Sequence, residues 1–230
     1  MVICYNTFIC TNISRKGGMA LKILVISDTE SKYLWDHFDI NYFKGIDMIL
    51  SAGDLKASYL TFLVTLCNIP VVYVPGNHDL QYLEEPPEGC INCDGKVKVV
   101  KGLRIAGLGG CMKYNKKPYQ YSQRQMNLRA FRLLFPICFH GGFDILLTHA
   151  PAYGLDDSQD LAHRGFKAFR KLMDWFSPLY MIHGHVHMNY GFKIPREIRY
   201  HDTKVINAYE RYIIEVDDTV LEKRNKRMKK

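Results

Sequence analysis

Five short apolar runs constrain the fold most: LKILVIS (21–27), DMILSAG (47–53), IPVVYVPG (69–76), DILLTHAP (144–151) and LYMIHGHVH (179–187). Each is rich in Val, Ile and Leu, short for a helix and bounded by turn residues, the pattern of a strand buried on both faces. Helical stretches are predicted between them: about 31–43 with Ser31 as N-cap, then KASYLTFLVTLC, a segment near 123–135 and one at about 160–176. KVKVVKG and LRIAGLGG (96–110) read as a hairpin joined at a glycine. The Tyr- and Lys-rich segment 111–125 reads as a loop, and YGFKI, TKVINA and RYIIEV as closing strands. The alternation predicts an α/β fold, and the later hairpins predict a second, mixed sheet.

At 230 residues the chain can bury a substantial core, and without repeats or low-complexity linkers it is expected to form one domain over 19–217. No apolar run approaches the ~20 residues of a bilayer-spanning helix, so no membrane association is expected. Residues 1–18 make a poor signal peptide: MVICYNTFIC lacks a basic start and no small-residue cleavage site follows. They are expected to be a poorly ordered appendage, with Met19 a natural start. The formal charge of +8 suggests nucleic acid, but the segment 222–230 carries six basic residues against one Glu. Subtracting its +5 from +8 leaves +3, so the body is mildly basic and 218–230 is a basic, solvated tail. Seven irregularly spaced cysteines point to reduced thiols and a cytoplasmic protein, and the lone Cys90-x-x-Cys93 reads as plain loop thiols.

The chemistry sits where the strands end. The five runs close on Asp28-x-Glu30, Gly53-Asp54, Gly76-Asn77-His78-Asp79, His149 and Gly184-His185-Val186-His187. In open α/β sheets the C-terminal strand edges converge on one crevice. Each residue alone has a simpler use: Asp28 or Asp54 as a helix cap, Asn77 at a left-handed turn, His149 as a hydrogen-bonded core histidine. Together they place Asp, Asn and His in one buried cluster, which is costly without a cation and points to a polynuclear metal centre.

SDTE, GD, GNHD, THAP and GHVH, in this order, resemble the calcineurin-like metallophosphoesterases, whose signature runs D-x-H, G-D, G-N-H-D/E, H and G-H-x-H. The resemblance covers roughly 21–210 and implies a four-layer sandwich, two mixed β-sheets flanked by helices. It implies that Asp28 and His187 hold one metal, that Asp54 bridges two, and that Asn77, His149 and His185 complete the ligand set of the second. It also implies a hydrolase that cleaves a phosphate ester by metal-activated hydroxide, with His78 assisting the leaving group and Asn77 contacting substrate. Two divalent ions would clamp the phosphate oxygens. Mn2+ suits the mixed oxygen and imidazole donors, with Fe, Zn, Co or Ni as alternatives. Asp79 is expected to hold its loop by hydrogen bonding, and His183 to be a core histidine or one lying behind the ligands. The stretch LDD…AHRG (155–165) loosely resembles the overhanging loop of the small phosphodiesterase-like branch, making His163 and Arg164 candidate substrate contacts.

Glu30 stands where the family has a histidine. A glutamate can bind the first metal directly, orient a metal-bound water, or mark a weakened site, and the presence of every other motif residue favours direct or water-mediated ligation. The leading expectation is a metal-dependent phosphodiesterase, with a nucleotide among the possible substrates. A scaffold of the same fold without catalysis is one competitor. A nuclease or RNA-processing enzyme is another, drawing on the basic tail and the aromatic loop 113–124.

Overall fold

The computed structural model describes residues 20–157, 160, 162–188, 195–217, 219–221 and 224. The appendage 1–18, YGFKI (190–194) and most of the basic tail lie outside the described residues. In chain order the strands are β1 (Leu21–Ser27), β2 (Met48–Ser51), β3 (Val71–Tyr73), β4 (Ile91–Asn92), β5 (Val97–Val100), β6 (Leu103–Leu108), β7 (Cys111–Met112), β8 (Gln120–Tyr121), β9 (Ile145–Thr148), β10 (Tyr180–His183), β11 (Glu197–Tyr200), β12 (Thr203–Asn207) and β13 (Glu210–Val216). The α-helices are α1 (Ala57–Cys67), α2 (Gln123–Phe139) and α3 (Lys167–Phe176). No helix among the described residues is long and apolar enough to cross a membrane.

One sheet has the order β13-β1-β2-β3-β4, with β13 antiparallel to β1 and the others parallel. The second runs β11-β12-β10-β9-β6-β5, parallel through β12, β10, β9 and β6 with antiparallel edges. Strand alternation builds the layers. Ile23 and Val25 of β1 face the second sheet, packing with Leu50, Ile145, Leu147 and Ile182, whereas Leu24 and Ile26 face outward under Tyr59, Leu60 and Leu63 of α1. On the far side Ala106, Leu146 and Met181 pack beneath α2 and α3 through Met126, Leu133, Phe169 and Leu172. The result is helix, sheet, sheet, helix: the four-layer sandwich expected from the sequence.

The hairpin β5–β6 turns at Lys101-Gly102 as read, and α2 starts at a full capping box between Ser122 and Gln125. The helix predicted over 31–43 does not form. Turns occupy that stretch until a 3-10 helix at Ile40–Phe43, and Ser31 donates to Glu210 instead of capping (3.1 Å). The Asp39 carboxylate accepts from the backbone and side chain of Asn41 (2.9 and 2.8 Å), a local turn that competes with helix propagation. The last helix begins at Lys167 rather than near 160, because Phe166 is held extended by bridging Ala152. In the basic segment, Arg224 is not a solvated side chain. It meets the buried Asp144 carboxylate (3.1 Å) beside Arg104, and donates to the carbonyls of Phe143, Phe176 and Ser177.

Candidate metal centre

The residues following β1, β2 and β3 meet those following β9 and β10 across the gap between the two sheets. Asp28 and Asp54 stand just beyond their strands at φ 64° and 57°, and His185 at φ 66°. Three non-glycine residues in the left-handed region at one spot are unusual, and such strain collects at functional sites. Asp28 accepts from the His185 backbone N–H with both oxygens (3.0 Å each), which ties the two sheets together. Two glycines allow this approach. A Cβ on Gly184 would lie 1.9 Å from Ser27 Oγ and 2.6 Å from Asp28 Oδ2; one on Gly76 would lie 2.0 Å from Asp54 Oδ1.

Asp54, His149 and His185 offer ligand atoms that all lie within 4.8 Å of one another. His149 Nε2 is 3.3 Å from Asp54 Oδ2 and 3.0 Å from Asn77 Oδ1, while its Nδ1 donates to the Ala52 carbonyl (2.7 Å). That bond fixes the ring and leaves Nε2 for a ligand. His185 is held the opposite way: Nε2 bonds the Ala162 carbonyl (2.9 Å), leaving Nδ1 free. His187 Nε2 approaches Asp28 Oδ1 at 3.7 Å, and its ring lies against Tyr209.

Charge is compressed here. Burial opposes ionisation of Asp54, but the His149 imidazolium outweighs it and the carboxyl falls to about 2. Burial would likewise strip His149 of its proton, yet Asp54 holds it at about 9. Burial, then repulsion from His149, lowers His185 to about 3. A proton on His149 thus does the neutralising that a cation would do. Two carboxylates, an amide oxygen and three imidazoles, with the far nitrogens of His149 and His185 anchored on backbone carbonyls, make a donor set that fits divalent metal.

Asp79 accepts from the backbone N–H groups of Gly76 and Asp54 (2.7 and 2.8 Å), holding the loop as expected. Burial and the neighbouring Asp54 push its carboxyl up to about 7 against the pull of those donors. His78 donates its N–H to Asp54 Oδ1 (2.8 Å), places Nε2 4.0 Å from Asp54 Oδ2, and leaves its ring largely in solvent. The Glu30 carboxylate pairs with Lys56 through Nζ (3.1 Å) and the backbone N–H (3.3 Å), lining a cleft with Asp28, Asp54 and His78. His163 lies with its ring 4.9 Å from that of His185 and Nδ1 3.0 Å from Asp160, which brings the overhanging loop to the centre. Arg164 is exposed at the end of the same loop. His183 is buried, with Nε2 3.4 Å from Asp156. Sequence reasoning did not single out Tyr114, whose hydroxyl accepts from Asn77 Nδ2 (3.3 Å); the only signal was its place in the aromatic loop.

The sequence profile of the calcineurin-like phosphoesterases matches residues 21–189, well over half of the chain. An uncharacterized protein of Methanocaldococcus jannaschii, MJ1162, is 29% identical over 157 residues, 65% of this chain. The chain spans only 66% of that relative's length. Among solved structures, TT1561 of Thermus thermophilus superposes with a TM-score of 0.55 at 18% identity, covering 84% of this chain and 90% of that one. Another crystal structure reaches a TM-score of 0.64 at 15% identity, covering 88% and 96%. At these identities the structures speak for the fold alone, and they share the two-sheet sandwich. With the ordered motifs, their convergence at the sheet ends and the profile match, the chain belongs to the calcineurin-like phosphoesterase family.

Proposed function

We propose that this chain is a phosphodiesterase that works with two divalent cations. The observation that carries the reading is the buried meeting of Asp54, His149 and His185, with Asp28, His187 and Asn77 beside them. Asp28 and His187 would hold one ion, Asn77, His149 and His185 the other, and the two oxygens of Asp54 suit the bridge. When bound, the ions would supply Lewis acidity to the phosphate oxygens and acidify a water, with Mn2+ the best match to these donors. Glu30, engaged by Lys56 at the cleft edge, would orient a water beside Asp28 and His187, with Lys56 tempering its charge.

The chain's own groups then position and protonate the ester. The backbone of His78 is fixed to Asp54, and its exposed ring can reach a departing oxygen and deliver a proton to it. Asn77 is oriented by Tyr114 and His149, while His163 and Arg164 contact the substrate from the loop above. A diester is favoured over a monoester because Lys56, the cation lining the cleft, is already paired with Glu30. Beyond the proposed ions and Arg164, the cleft therefore adds little charge for a terminal phosphate dianion. Tyr114 is exposed beside Asn77 and offers a ring on which a base would stack, so nucleotide diesters are the first substrates to screen. Cys67, Cys90, Cys93, Cys111 and Cys138 are free thiols, which suits a reducing compartment such as the cytoplasm.

The test is hydrolysis of bis-p-nitrophenyl phosphate against p-nitrophenyl phosphate with each of Mn2+, Fe2+, Zn2+, Co2+ and Ni2+. Diester turnover that chelator abolishes is expected. No turnover with any metal, or preference for the monoester, overturns the reading.

A further inference from the structure

The outer face of α2 carries an apolar stripe that nothing in the described residues covers. Leu128, Phe131, Phe135 and Phe139 fall within one side of the helix by its 100° step, and Trp175 of α3 stands beside them. The five side chains are 50–83% exposed. At ~200 Å² for a whole side chain of this class, they present about 700 Å² of apolar surface. That exceeds the ~300–600 Å² of the largest patch on an ordinary monomer and approaches the ~800 Å² each partner contributes to a standard interface.

The face offers both a hollow and projecting rings. A groove of about 350 Å3 runs between α2 and α3, lined by Leu128, Phe131, Leu134, Leu172 and Trp175. Phe135 and Phe139 project one to three turns further along the same helix, outside the lining. Hollow and knobs therefore lie end to end on one surface. The charges are likewise polarised: exposed Arg124 and Arg132 flank the N-terminal half of the stripe, and aromatic rings dominate its C-terminal half. Two copies placed with α2 helices antiparallel about a two-fold axis would seat the phenyl rings of each in the groove of the other. Arg124 of each copy would then lie toward the C-terminal rings of the other, whereas a parallel pairing would oppose Arg124 to Arg124.

We propose that this chain forms a symmetric dimer through the α2–α3 face, with the two α2 helices antiparallel. Sedimentation equilibrium of the full chain at micromolar concentration tests it. The expected mass is about 53 kDa, twice the 26.7 kDa of one chain. The double substitution Phe135→Glu/Phe139→Glu should give a monomer with unchanged circular dichroism and a dissociation constant raised at least ~100-fold, as for loss of two hot-spot residues. Arg124→Glu/Arg132→Glu, which leaves the apolar side chains of the face in place, should weaken the dimer about tenfold. Val99→Glu, an exposed apolar position on β5, should leave it intact. A wild-type monomer at 100 µM overturns the proposal, as does a dimer that survives the phenylalanine substitutions. Two further results would also overturn it: a monomer that sediments with anionic lipid vesicles, and a chain that dimerises only after removal of residues 1–18.

Discussion

Replacing Gly76 by alanine tests how the chain holds Asp54. The added Cβ would lie 2.0 Å from Asp54 Oδ1, 2.6 Å from its Cγ and 2.7 Å from its backbone N. Ordinary contact begins near 3.4 Å, so the carboxylate must withdraw by about 1.4 Å, the difference between those separations. That movement breaks the bond from the His78 N–H (2.8 Å) and carries Oδ2 away from His149 Nε2 (3.3 Å). Overpacking of this kind costs ~1–3 kcal/mol of stability. For activity, a misplacement of ~1 Å at a reacting centre corresponds to ~100-fold, or about 2.7 kcal/mol in the barrier. Isothermal titration with Mn2+ and diester turnover should both fall by about that factor. Gly102→Ala provides the comparison. Gly102 has φ +83° with nothing within 4 Å of a Cβ, so strain there should cost ~1 kcal/mol of stability and leave Mn2+ affinity unchanged. If Gly76→Ala binds Mn2+ within threefold of wild type, the reasoning that places Asp54 at the heart of the centre fails.

His78→Ala should retain full metal content by elemental analysis while kcat falls ~100-fold or more, the usual scale of a lost proton donor. Glu30→Ala should weaken Mn2+ binding ~10–100-fold without abolishing it, in line with removal of a group that orients a ligand. Asp144→Ala removes a buried carboxylate from between Arg104 and Arg224. It should lower unfolding free energy by ~3–5 kcal/mol in urea titration, with metal affinity intact. Mn2+ at a hundred times its dissociation constant should raise stability by ~2.7 kcal/mol, measured as a chelator-reversible shift in Tm.

The five apolar strands and the motif residues at their ends were legible in the sequence because both depend on local pattern. β1 runs from Leu21 to Ser27 as read, since an unbroken apolar run admits few alternatives, and each motif begins where such a run stops. What escaped depends on contacts distant in sequence. The helix read over 31–43 gives way to turns in part because Ser31 is engaged by Glu210, 179 residues later. Lys56 beside Glu30, Tyr114 beside Asn77 and Arg224 on Asp144 are pairings that no spacing rule anticipates. The α2 stripe is a related case. Its period marks an apolar face, but only the fold reveals that Met126, Leu133 and Ile137 supply the buried side while Phe131, Phe135 and Phe139 face outward.

The central claim is that the ends of two sheets hold a pair of cations around Asp54. A crystal structure of the Mn2+-loaded chain, with anomalous scattering recorded at the manganese edge, tests it most directly. The account predicts two anomalous peaks with Asp54 between them, Asp28 and His187 at one and Asn77, His149 and His185 at the other. A single peak, or two peaks neither of which touches Asp54, would contradict it.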